Sequence, residues 1–73
     1  MVSTMAEEIL FLVEEAIEGG YNARSIGESI FTQADTLDEL KIQIKEAISV
    51  HFNENDKPKI IRLHIVRDEV LAY

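Results

Sequence analysis

The side chains able to do chemistry are few and scattered: His51 and His64, Ser25 and Ser29, the acids Glu14, Glu15 and Glu18, and the bases Arg24 and Arg62. Neither histidine belongs to an H-x-x-x-H or His-carboxylate pattern, so no metal site is expected within one chain. The serines lack the strand-to-helix elbow of an activated nucleophile, and there is no glycine-rich phosphate loop. No catalytic residue and no cofactor is therefore expected. Arg62 and His64 occupy alternate positions of an apolar run and share one face of a strand there. With Arg24 they form a candidate ligand or partner face for acidic or phosphate groups, set against the plainer reading of a solvated sheet surface. His51 falls in the apolar stripe of a helix near its C-terminus. It is expected to be partly buried and satisfied by a backbone carbonyl or the helix dipole.

The elements that must position these groups can be read from periodicity. Glu8 to Glu15 contains Ile9, Leu10, Phe11, Leu12 and Val13 without polar alternation, so a strand here has both faces apolar. Gly19-Gly20 supplies a hairpin turn. Tyr21, Ala23 and Ser25 then alternate with Asn22 and Arg24, the pattern of a strand with one buried face. Gly27-Glu28 marks a second turn, and Ile30 to Ala34 a third short strand. Thr36-Leu37-Asp38-Glu39 has the T-x-x-E form of a capping box, with acids in the first turn where the helix dipole favours them. From Leu37 to about Phe52 the stripe Leu37, Leu40, Ile44, Ala47, Ile48 and His51 faces the sheet, and Ile42 lies opposite. Pro58 ends the breaker after the helix. In the last strand, Lys59 to Arg67, Ile61, Leu63 and Ile65 are assigned to the core. Ile60, Arg62, His64 and Val66 are assigned to the face away from the helix. The predicted architecture is α+β, in the order β-β-β-α-β, with an antiparallel-type sheet and one helix on one face.

The segment Tyr21, Ala23, Gly27, Thr32, Asp35, Thr36, Leu37, Asp38 and Glu39, continued by Lys45, Glu46, Ala47 and Ile48, resembles the HicB-like antitoxin family. The likeness covers about the middle half of the chain, and the order of elements extends it. Two departures stand out. The usual Leu-Pro-Gly-Cys turn reads Ile26-Gly27-Glu28-Ser29-Ile30, and no helix-turn-helix or ribbon-helix-helix segment follows the last strand. The resemblance implies a partial ribonuclease H-like fold over one domain, residues 1–73. It also implies, as partner, a small basic ribonuclease toxin of the HicA type. A ribonuclease H-like label raises two-metal hydrolysis, which needs carboxylates converging on central strands. Here the strand centre is Leu10-Phe11-Leu12, and Glu14, Glu15 and Glu18 gather at its end, where a solvated cluster is expected instead. No nuclease activity is expected.

Charge and size narrow the partners. The formal net charge is -7, and residues 1–39 carry nine acids against the single base Arg24. Such a surface repels phosphates, so no nucleic acid is expected to bind directly, and a basic protein is the better match. The longest apolar run is far shorter than the roughly 20 residues of a bilayer span, so no membrane is expected. Without cysteine the chain fits a cytoplasmic setting. At this length only about 60% of the unfolded surface can be buried. Extra burial is expected from a homo-oligomer, a dimer or tetramer, with Leu10, Leu12, Ile60 and Val66 as the candidate interface. The leading expectation is a non-enzymatic interaction protein. An accessory or regulatory subunit of a metabolic enzyme, for which a 2-oxoisovalerate dehydrogenase type of name would have no support in the residues, and a small-ligand sensor are the alternatives.

Overall fold

A computed structural model describes residues 8–73. Three strands, β1 (Glu8–Glu15), β2 (Tyr21–Ser25) and β3 (Phe31–Ala34), precede a helix, α1 (Leu37–His51). A short 3-10 turn (Glu54–Asp56) leads into β4 (Ile60–Val66). The sheet order is β3-β2-β1-β4. The first three strands form an antiparallel meander, as expected, whereas β4 joins β1 in parallel, so the whole sheet is mixed. The helical crossover causes this. After β3 the chain crosses one face as α1, and it re-enters beside β1 from the same end at which β1 began.

Local chemistry explains each junction. Gly19 and Gly20 both take positive φ in the first turn, and a Cβ on Gly20 would meet the Ala34 carbonyl oxygen at 2.9 Å. Tyr21 can then pair with Ala34 at the start of β2. At the other end of β2, the buried Ser25 donates from its Oγ to the Glu28 carbonyl at 2.7 Å and accepts from the Ile30 N–H at 3.3 Å. The hydroxyl thus clamps the β2–β3 turn. Thr36 caps α1 by accepting the Glu39 N–H on its Oγ1 at 3.1 Å.

Strand alternation sends Ile9, Phe11, Val13 and Ala23 to the helix side, where Leu40, Ile44 and Ile48 cover them. Phe11, Val13, Ala23 and Leu40 are fully buried. Thr32, opposite Ala23, faces the same side, and its Oγ1 is buried with no hydrogen-bond partner. The helix lies over the β2 and β3 side of the sheet. A cleft lined by Lys41, Ile44, Lys45, Ile61 and Leu63 separates it from β4. Ile61 and Leu63 reach the core only in part, and Ile65, assigned to the core from its parity, is 47% exposed. One helix about 10 Å wide cannot span four strands spaced about 4.8 Å apart.

His51 also departs from expectation. It is exposed, not partly buried, and its Nε2 lies 3.1 Å from the Glu28 Oε1, with its ring edge-on to Phe52. The last turn of α1 has run past the strands to the level of the β2–β3 turn. The partner there is a side-chain carboxylate, not a carbonyl.

Candidate functional site: the open face of the sheet

Cross-strand partners share a face, so the pairing register defines the surface on the side away from α1. One row crosses all four strands: Phe31, Arg24, Leu12, His64. A second row places Gln33, Asn22, Glu14 and Val66 together, and Leu10 pairs with Arg62 and Glu8 with Ile60. Leu10, Leu12, Ile60 and Val66, the candidate interface residues, therefore occupy a single uncovered face. Phe31, 60% exposed, adds an apolar side chain at the β3 edge, beyond Arg24, and is not among the residues assigned to the interface from the sequence. Its only sequence signal was a parity shared with Gln33, which reads as polar.

The candidate cationic face is arranged differently. Arg24 and His64 stand on either side of Leu12, one strand away in each direction. Two strand spacings, about 10 Å, thus separate the backbones that carry them. Arg62 sits in the neighbouring row and is engaged by Glu8 through both guanidinium and carboxylate forks, Nε to Oε2 at 2.5 Å and a terminal nitrogen to Oε1 at 3.2 Å. Hydrogen bonding and attraction to Arg62 hold the Glu8 carboxyl below the usual carboxylate range, and the same contact raises Arg62. The three groups share a face without converging on one point. Glu8 was not foreseen as a partner, because only the parallel pairing of β1 with β4 brings residues this far apart in sequence together.

Glu14, Glu15 and Glu18 are exposed at the hairpin end of β1. Among the described residues, no group of three or more His, Cys, Asp or Glu side chains is placed to hold a metal ion, and no helix is long and apolar enough to cross a membrane. The Ser25 hydroxyl is consumed in holding the β2–β3 turn, and the Glu28 carboxylate faces His51.

The arrangement is that of a small α+β protein whose sheet is covered by a helix on one side and left half apolar on the other. No family model and no solved structure matches the chain. Its relatives include a UPF0150 protein of Archaeoglobus fulgidus, 52% identical over 52 residues, a stretch covering 71% of this chain and 77% of the relative. A UPF0150 protein of Thermotoga maritima is 41% identical over 66 residues, covering 90% of this chain and 93% of the relative. The chain belongs to the UPF0150 family.

Proposed function

We propose that this UPF0150 protein is a non-enzymatic, HicB-like interaction protein of the cytoplasm. It assembles with copies of itself through the open sheet face and uses its acidic surface to bind and block a small basic ribonuclease of the HicA type. The observation that supports this most is the open face itself. Leu10 and Leu12 at its centre and Phe31, Ile60 and Val66 towards its rim stand among Glu8, Glu14, Arg24, Arg62 and His64, on a chain too small to leave so many apolar side chains wet without loss. At the rim of that face and beyond it, exposed Glu14, Glu15 and Glu18 at the hairpin and Asp35, Asp38 and Glu39 at the head of α1 offer acids to a basic partner.

Titration of the purified protein into the basic chain encoded beside its gene, with RNA cleavage as readout, tests the partner. Stoichiometric inhibition that weakens as salt rises is the expected result. A complete lack of binding and of inhibition, or the absence of any neighbouring basic chain of domain size, overturns the toxin-blocking half of the proposal.

A further inference from the structure

The sheet has two edges, and they are unlike. The β3 edge is four residues long and ends at Asp35, whereas β4 presents seven residues without proline. Among the described residues β4 pairs only with β1, so its outer edge offers a row of free backbone donors and acceptors. Apolar side chains flank that edge on both faces, Ile60 and Val66 on one, Ile61, Leu63 and Ile65 on the other. Such an edge is a template for another strand.

The next segment of the chain is an unpaired length of the complementary kind. Pairing of β4 with β1 stops at Glu14 and Val66, because β1 turns away at Ala16. Beyond Val66 no strand lies alongside among the described residues, and residues 67–73 form neither helix nor strand. Val70 and Leu71 are 92% and 85% exposed, and Tyr73 is fully so. The tail carries the acids Asp68 and Glu69, whereas Lys59 to Arg67 contains three bases and His64 but no acid.

Register arithmetic connects the two. Antiparallel pairing of two β4 strands centred on Leu63 would set Lys59 opposite Arg67 and Arg62 opposite His64, like against like. Moving the two-fold axis to Ile65 or to Val66 removes that conflict. The first sets Asp68 opposite Arg62 and the second sets it opposite His64, and both bring the apolar tail residues along the first half of β4. We propose that two copies exchange their C-terminal tails in this way, Asp68–Tyr73 of each chain adding an antiparallel strand to the β4 edge of the other. The inference rests on the self-assembly reading above and names a contact that the reading lacks. The joined sheet carries the open faces of both copies side by side.

Two full-length variants test it by sedimentation velocity. One has a reversed tail, Asp68→Lys with Glu69→Lys. The other has a reversed edge, Arg62→Glu with His64→Glu, plus Glu8→Arg to keep the pair between β1 and β4. Each alone should sediment at half the wild-type mass or less, its edge contact weakened at least about tenfold. An equimolar mixture should recover the wild-type mass, because each tail then meets an edge of opposite sign. A tail-reversed chain that keeps the full wild-type mass overturns the exchange, as does a mixture of two folded variants that fails to reassociate. A wild-type chain that is itself monomeric defeats the self-assembly reading, and the exchange with it. If Leu12→Glu alone halves the mass while the reversed tail does not, assembly stands on the open face and the tail has no part in it.

Discussion

Substituting Leu12 by Glu separates assembly from folding, because Leu12 lies at the centre of the open face and outside the core. In the free subunit the side chain is only partly exposed and stands between Arg24 and His64. A longer carboxylate side chain there can reach water beside the Arg24 guanidinium, so the subunit should lose only about 1–2 kcal/mol. Between copies the cost is larger. Full burial of a leucine contributes about 1.5–3 kcal/mol, and at most about a third of that is still available at Leu12 when a second copy covers it. Two such residues meet across a two-fold contact. The loss is therefore about 1–2 kcal/mol before the desolvation of two carboxylates is added, so association weakens by at least about tenfold. Sedimentation velocity at micromolar concentration should show the mass of Leu12→Glu falling to half or less, with a native far-ultraviolet spectrum retained. Ile42→Glu, on the outer face of α1, should leave the mass unchanged. Retention of the full mass by Leu12→Glu would refute the reasoning. Dissociation by Ile42→Glu instead would move the interface to the helix.

Ser25→Ala removes both hydrogen bonds of the β2–β3 clamp and strands the Ile30 N–H, which should cost about 1–3 kcal/mol by chemical denaturation. Gly20→Ala combines positive φ with a contact against backbone, so a loss of about 1–3 kcal/mol and weakened amide protection at Tyr21 are expected. Thr32→Val replaces a buried hydroxyl without a partner by a methyl group of the same shape, and the melting temperature should rise. The Glu8 pairing with Arg62 is complete above the ordinary carboxylate pKa and is lost as pH falls through the lowered value of the folded chain. A nuclear magnetic resonance titration should therefore place the Glu8 midpoint below the usual range, and Arg62→Gln should return it upward.

Local pattern revealed the elements but not their partners. The apolar run of β1 identified a strand with two apolar faces, the alternation from Tyr21 to Ser25 gave the buried face of β2, and Thr36 marked the helix start within a residue. Each of these signals lies within a few residues of its consequence. The parallel pairing of β1 with β4 does not, and it alone decides that Arg62 meets Glu8 and that His64 flanks Leu12. Parity also assigned Ile65 to the core correctly as to face and wrongly as to cover, because periodicity says nothing of how wide a helix is. His51 failed for a related reason. Its angular position on α1 fits the stripe, but the strands beneath end before it.

The parallel seam between β1 and β4 also governs when the sheet can close. Glu8 pairs with Ile60, so nearly the whole chain must be synthesised before the innermost strand gains its second neighbour. The meander of β1, β2 and β3 is joined by short turns and can form early, while closure across the long α1 crossover comes last. During translation, every ribosome engaged on the last third of the message holds β1 as a bare edge, apolar on both faces. That interval is when the nascent chain is most exposed to chaperones, proteases and other nascent copies. A synonymous change that slows elongation just before Ile60 would lengthen the interval without altering a single residue, and the yield of soluble protein would record it.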